Sequence, residues 1–532
     1  IGCILGGLFL ALLMVSDPYI DIYEFQKHSN RGAKSVLDQT GQTESGTDWR
    51  YATQWSFHPK ESISFLYPYH YGLQNFSTRD IKSAAYWGFM PFTQSTHYLG
   101  LVAIIFAILG ALLRKPDKVE WFFWVTTILA LVTGFGSFFP ILFKPFYSIL
   151  PLFSKFRIPS MIYVLLAITL PFLAAKGLDS FLQTGDKKSL FKKGVLVIGG
   201  LIGLTIFLII GGEYFLEFSS PKDGRFNPSV ISQLKVERID LFQKGLRLAL
   251  GIGLCTLGLL WGFINKAINK TVFSSLLIGL VVLDLWIVNM EFLNLKPARN
   301  MDLMFQDNPV VSFLKNDEDH FRIFPADELA SNKFSYWNLE SIGGYRPIKL
   351  RNYQDLMDAK GFSRPHILDM LNVKYVLTRK KINNPNFSPV KDVPGIYKNK
   401  NVLPKAWIVG NVRSVETQRE SLMETLLNGF DPTNSAIVVQ YKGEPIPENA
   451  IGTVIVKSKT ENRIELISKS ETGGLLVLSE IYYKPGWKAF VNGEETPIYQ
   501  TNHILRSIKI PPTESDILFK YDELLEFILA PP

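Results

Sequence analysis

The chain of 532 residues carries 56 Lys and Arg against 48 Asp and Glu, a formal net charge of +8, and 47% of its residues are apolar. Two cysteines rule out a disulfide-stapled scaffold. With no P-loop, Rossmann glycine fingerprint, zinc-finger spacing or basic patch interleaved with aromatics, no nucleic-acid partner is expected.

In chain order, seven apolar runs approach the ~20 residues needed to cross ~30 Å of hydrocarbon. They cover 1–15, 98–113, 119–138, 158–175, 194–212, 245–264 and 272–290. The first, IGCILGGLFLALLMV, starts with neither a methionine nor a basic flank and has no small-residue cleavage site, so it reads as the tail of an internal transmembrane helix rather than a signal peptide. The connections after the second, fourth and sixth runs hold ten Lys or Arg against three Asp. By contrast, segment 17–97 holds seven basic and eight acidic residues, and 213–244 holds five of each. Basic loops are held on the cytoplasmic side. The expectation is a membrane domain over 1–294 in a bacterial cytoplasmic membrane, with an outer loop 17–97 and everything after 295 extracytoplasmic. Cys3 and Cys255 fall in apolar runs, and the glycines of GGLIGLTIFLIIGG are expected to let helices pack closely.

Region 295–432 reads as extracytoplasmic mixed α/β, with strands in HFRIFPAD and VKYVLTRK and helices in YQDLMDAKG, PHILDMLN and TQRESLMETLLNG. Over 433–523, eight segments alternate apolar and polar residues: AIVVQYKG, IGTVIVKSKT, NRIELISKS, GLLVLSEIYY, WKAFVNG, TPIYQ, HILRSIKI and ILFKYD. That spacing predicts a jelly-roll-like β-sandwich. Tyr482, Tyr483, Trp487 and Tyr499 could hold sugar, but aromatic residues at strand spacing favour the sandwich core. The expected fold class is therefore a polytopic α-helical membrane domain, a mixed α/β region and a C-terminal β-sandwich.

Three places could carry chemistry. In FKPFYSILPLFSKFRIPSMIYVLLAITLPF, Lys144, Lys155 and Arg157 sit without an acidic neighbour on the outer side, against the positive-inside bias. Cations at that level suit a lipid phosphate or pyrophosphate, or snorkel toward ordinary headgroups. Asp284, in LIGLVVLDLWIVN, is an ionisable residue within an apolar run. It either faces an aqueous cavity in the zone of Arg157 or pairs structurally with a cation or the backbone. The loop 17–97 holds His28, His58, His70 and His97 beside Asp17, Asp21, Glu24 and Glu61. These are a candidate divalent-metal set, but no close H-x-x-x-H spacing supports it, so no metal ligand is assigned. FHPKESISFLYPYHYG and AAYWGFMPFTQSTHYLG look like cleft-lining loops in which Glu61, Tyr67 and Trp87 would contact substrate, although interfacial anchoring explains Trp87 and Tyr98 equally.

The order of Arg31-Gly32, HPKE with FLYP, YWG with HYLG, FRIPSMIYVLLAITLPFLAAKGLD, the Asp of the last run, GGYRPIKLRNY, LDMLNVKYVLTRK and YYKPGWKAFVNGEETPIYQTNHILRSIKIPP resembles the YfhO family of bacterial membrane proteins over nearly the whole chain. That family is similar to the GT-C superfamily of polytopic glycosyltransferases. The resemblance implies transfer of sugar from a polyprenyl-phosphate donor to an extracytoplasmic acceptor, a cell-envelope glycan polymer such as teichoic acid. It implies a catalytic carboxylate in the first outer loop, acting as base on the acceptor hydroxyl. No segment matches that loop, which would lie upstream of Ile1, so no catalytic residue is assigned. ELLEFILAPP is expected to begin a final hydrophobic segment. Lys144, Lys155 and Arg157 are the expected donor contacts, with Asp284, Glu61, Tyr67 and Trp87 in the cleft. The alternatives are a transporter or flippase of lipid-linked glycans, which would favour internal repeats and several deep charges, and a non-catalytic envelope scaffold with a glycan-binding sandwich.

Overall fold

A computed structural model describes residues 2–38, 49–73, 84–91, 97–150, 153–293 and 297–522. ELLEFILAPP lies outside the described residues. The chain divides into two compact units, one of Thr47–Lys296 and one of Ile1–Gly46 with Pro297–Pro532.

Among the described residues of the first unit, four helices are long and apolar enough to cross a membrane: Pro159–Gln183, Ser189–Phe215, Pro228–Ile264 and Lys270–Met290. Apolar side chains point outward from them, including Ile168, Ile210, Ile278 and Trp286, each at least 60% exposed. A surface so apolar has lipid as its natural solvent, and the chain is a membrane protein by this measure.

The helices begin and end where local chemistry dictates. The expected run 98–113 is helical only over Leu101–Leu113, about 20 Å at 1.5 Å per residue, because Gly100 takes φ 90° and starts the helix late. The run 119–138 becomes Lys118–Gly134, opened by an Asp117–Glu120 capping box, followed by a single turn Gly136–Phe138. The sixth run extends far toward the N-terminus, since the helix Pro228–Ile264 is 37 residues long.

Close helix approach occurs elsewhere than expected. A Cβ on Gly110 would lie 2.5 Å from the Gly177 backbone, so Leu101–Leu113 and Leu166–Gln183 touch through two glycines. In the GGLIGLTIFLIIGG segment only Gly212 is crowded by another helix, through Phe242 at 2.8 Å. A π turn, Val195–Gly199, lies at the start of that segment, within the helix Ser189–Phe215.

The second unit is β-rich. The helix Gly2–Lys27 belongs to it and runs well past the predicted end at residue 15. Arg322–Pro325 pairs in parallel with Val373–Leu377, and Ile396–Asn399 and Phe387–Pro389 complete a four-stranded sheet. A six-stranded sheet runs Ala406–Val409, Gly474–Ile481, Leu505–Ile510, Tyr499–Thr501, Ser435–Val439, Asn411–Val415. A five-stranded sheet runs Glu494–Thr496, Trp487–Val491, Glu514–Tyr521, Arg463–Ser470, Gly452–Lys459. Each of the eight predicted strand segments contains a strand, and the six-stranded sheet also takes Ala406–Val409 and Asn411–Val415 from before residue 433.

The alternation of side chains explains the layering. Leu476, Leu478 and Ile508 of the six-stranded sheet share a core with Leu466, Ile517 and Phe519 of the five-stranded sheet. Their sequence neighbours Leu475, Val477 and Leu505 pack on the opposite face, with Leu356, Ile367 and Leu422 from the helices Arg351–Asp358, Pro365–Met370 and Gln418–Thr425. A strand buried on both faces reads as a continuous apolar run, as GLLVL does. Asn492 and Gly493, at φ 52° and 86°, make the two-residue turn that joins Trp487–Val491 to Glu494–Thr496.

A charge network ties these parts together. Glu480 receives Arg322 at 3.0 Å and Lys405 at 2.7 Å, while Glu340 pairs with Arg322 at 3.3 Å and with Lys459. Burial pushes Glu480 up, but Arg322, Lys405 and Lys459 outweigh it and hold its carboxyl well below the ordinary range.

Candidate functional site

The cations flagged in the sequence flank a short aromatic helix in the helical unit. Helix Trp49–Ala52 places the Trp49 ring edge-on against Phe143 at 5.8 Å and Tyr147 at 5.3 Å, both in Phe143–Ile149, the helix that carries Lys144. The next aromatic residues hold Arg157. Its guanidinium lies 4.6 Å from the Tyr51 ring centroid and 4.5 Å from that of Trp55, and Nη1 donates to the Tyr51 hydroxyl at 2.6 Å.

The backbone on both sides of this clamp is left-handed, with Trp55 at φ 58° and Ile158 at φ 68°. For a β-branched residue this costs on the order of 1–3 kcal/mol, so packing must impose it. Pro159 follows Ile158 and starts the Pro159–Gln183 helix. Its neighbour Gly136, at φ 50°, has no room for a side chain: a Cβ would meet Ser56 Oγ at 2.1 Å and Pro159 at 2.8 Å.

Arg157 Nε is buried and has no acceptor among the described residues. Lys155 ends the turn Phe153–Lys155, half-buried, and burial lowers its pKa. Lys144 is exposed. Among the described residues none of the three forms an ion pair with a carboxylate, although eight Asp or Glu occur in 17–97. A cation fixed between two π faces and lacking a counter-charge is suited to receive an anionic oxygen.

The other predicted residues lie in different surroundings. Glu61 is buried and accepts hydrogen bonds from Tyr86 Oη at 3.0 Å and Phe89 N at 2.5 Å, so it organises the YWG loop. Lys222 closes that loop by donating to the Gly88 and Met90 carbonyls. Arg238 anchors it through Ala85 O at 3.0 Å, while a bidentate pair with Asp223, at 2.7 and 2.8 Å, holds Arg238. Tyr67 is wholly buried and bonded to Thr205 at 3.0 Å, a core position. Trp87 is half-buried among His70, Tyr71 and Phe218.

Asp284 makes a structural pairing with the backbone. It is fully buried, its Oδ2 accepts from Leu101 N at 2.8 Å and its Oδ1 from Tyr98 Oη at 2.5 Å. It thereby caps the Leu101–Leu113 helix from a distant segment, since Gly100 has no side chain with which to cap it.

His58, His70 and His97 pack against aromatic rings. His58 stacks on Phe89 at 3.7 Å, and burial pulls His70 and His97 down to about 4. Among the described residues no group of three or more His, Cys, Asp or Glu converges to hold a metal.

Sequence reasoning missed Tyr51 and Trp55, whose only signal is the aromatic density of WRYATQW. It also favoured the core for Tyr482, Tyr483, Trp487 and Tyr499; Trp487 and Tyr499 do pack against core clusters, and all four are half-buried and line one cleft of the β-rich unit. No family model matches the chain, and no curated protein or solved structure does.

Proposed function

We propose that this protein is an integral membrane glycosyltransferase that takes sugar from a polyprenyl-phosphate donor and passes it to a cell-envelope acceptor outside the cytoplasm. The observation that carries this reading is Arg157, clamped between Tyr51 and Trp55 at the start of a candidate membrane span, with no carboxylate partner among the described residues. In this reading the guanidinium and Lys155 neutralise the donor phosphate, which gains charge as the sugar leaves. Lys144 adds a more exposed charge nearby in sequence. The distribution of Lys and Arg supports an extracytoplasmic position for this site and for the β-rich unit. The two sheets that share an apolar core are read as the β-sandwich.

The resemblance to the YfhO family supports the donor class and a bacterial cytoplasmic membrane. The catalytic base is left unassigned. A flippase is less favoured, because Asp284, the deep charge it would use, is engaged as a helix cap. The test is transfer from a polyprenyl-phosphate sugar by the full-length protein in lipid. Arg157→Ala and Lys155→Ala should each reduce transfer strongly while the protein stays folded. Unchanged transfer in both would reject the assignment.

A further inference from the structure

We infer that the β-rich unit carries a binding cleft for a neutral oligosaccharide, lined by Tyr482, Tyr483, Trp487 and Tyr499. The cleft has a volume of about 970 Å³, at the upper end of the ~300–1,000 Å³ usual for small-molecule sites. Pyranose rings present flat C–H faces, and aromatic faces bind them by apolar contact while hydroxyls meet polar groups at the edges. Four half-buried aromatic residues in one cleft supply the first element. Gln418 and Gln500, hydrogen-bonded to each other at 3.1 Å, supply amides at its margin.

The aromatic residues are held in place before any ligand arrives. Arg506 stacks over the Trp487 ring, its guanidinium 3.9 Å from the centroid, and donates from Nε to Ile481 O at 3.0 Å. Gly486, at φ 76°, lets the YYKPGW loop turn against Tyr521, whose ring would be 2.5 Å from a Cβ there. Tyr499 packs on Tyr441 at 4.9 Å, and Tyr483 on His28 at 5.4 Å. Fixed rings reduce the ordering cost of binding.

Charge selects the ligand class. The acidic residues lining the cleft are Glu24 and Glu495, and the lysines are Lys484 and Lys488. These balance, so the cleft offers no net attraction to a polyphosphate, unlike the unpaired cations around Arg157. Glu24 also stands ten residues after Met14, the end of the apolar stretch Leu5–Met14, or ~15 Å along a helix. Taken with the membrane orientation proposed above, on which this point alone rests, the cleft holds the sugars of a glycan close to the lipid surface.

The test uses the full chain in lipid nanodiscs without any donor, with tryptophan fluorescence and saturation-transfer NMR as readouts. The probes are neutral oligomers of glucose, galactose and N-acetylglucosamine, with a glycerol-phosphate oligomer as the anionic comparison. At least one neutral probe should bind saturably, and Tyr483→Ala and Tyr499→Ala should each weaken it about tenfold. Arg157→Ala should leave this binding intact, which separates the cleft from the donor-phosphate reading. Trp487→Ala is accompanied by Trp487→Phe, because the indole also packs on the sandwich core; the phenyl variant should retain folding and partial binding. The proposal is overturned if no neutral probe binds saturably, if the Tyr483 and Tyr499 variants bind as the parent does, or if only the glycerol-phosphate oligomer binds.

Discussion

Arg157 and Tyr51 are joined twice, by a guanidinium stacked 4.6 Å from the phenol ring centroid and by a hydrogen bond from Nη1 to its hydroxyl at 2.6 Å. Stacking fixes the plane of the guanidinium and the hydroxyl fixes its rotation. Tyr51→Phe keeps the first and removes the second, so it should weaken phosphate-dependent activity less than Tyr51→Ala does. The expected order of donor KM is parent, then Tyr51→Phe, then Tyr51→Ala, with a stability cost of about 1 kcal/mol for the lost hydrogen bond. Equal KM values for the two variants would show that the ring face contributes nothing.

Asp284 serves the fold, and its variants should reveal this through stability. Asp284→Ala leaves the Tyr98 hydroxyl buried without its acceptor and the Leu101 N–H with only the Tyr98 oxygen at 3.1 Å, a loss of about 2–3 kcal/mol. Asp284→Asn retains one carbonyl acceptor and should lose roughly half as much. Thermal unfolding in nanodiscs checks both. Activity per folded molecule should stay near that of the parent, and a selective loss of activity in a fully stable variant would instead give Asp284 a direct role.

These two residues show what the sequence carries and what it does not. Arg157 stood out because a cation without an acidic neighbour opposes the charge bias of the outer side, a property of composition. Its aromatic clamp was invisible, since Tyr51 and Trp55 are about a hundred residues earlier in the chain. Asp284 was visible as an anomaly, but its partners lie 183 and 186 residues away, so function and structure could not be separated before the fold was seen. Long apolar runs and alternating strands were legible because each follows from a local period. The start of a helix at Gly100 or the pairing of Ala406–Val409 with Gly474–Ile481 follows from backbone geometry and long-range contact. Of the aromatic residues in YYKPGW, Trp487 opens a strand and packs on the core as its alternation predicts, while Tyr482 and Tyr483 precede that strand, where no alternation sets their direction.

The Glu480 network is a buried set of charges whose balance depends on both carboxylates. Glu480→Gln leaves Arg322, Lys405 and Lys459 facing Glu340 alone, with the Lys405 side chain only 3% exposed. The expected cost is about 3–5 kcal/mol, measured as the midpoint of denaturation. Since the folded carboxyl titrates below its ordinary value of 4.5, its contribution is complete above that pH and is lost as the pH falls. Adding Lys405→Met to the first change should recover part of the loss, and no recovery would argue against charge balance as the cause.

Asp369 has the opposite sign. Burial raises it to about 6, against the hydrogen bond from the Asn399 amide at 2.7 Å. A folded value above the ordinary 3.8 means that the folded state binds more protons in this window, so stability is greatest below it and falls as the pH rises from about 4 to about 6. The change should amount to about 3 kcal/mol in all. Asp369→Asn keeps the acceptor for Asn399 and should flatten this slope while raising stability at neutral pH. Unfolding midpoints across pH 4 to 8, roughly the span over which such a carboxyl titrates, give the answer.

The central claim is that Arg157 grips a lipid phosphate, and direct binding tests it without depending on turnover. The measurement is the affinity of the full chain, in zwitterionic nanodiscs, for a polyprenyl monophosphate, compared between the parent and Arg157→Ala. Loss of one charge-assisted, preoriented contact should weaken binding about tenfold or more, with the uncharged polyprenol bound poorly by both. Equal affinity of parent and variant for the phosphate, or equal binding of phosphate and alcohol by the parent, would contradict the account.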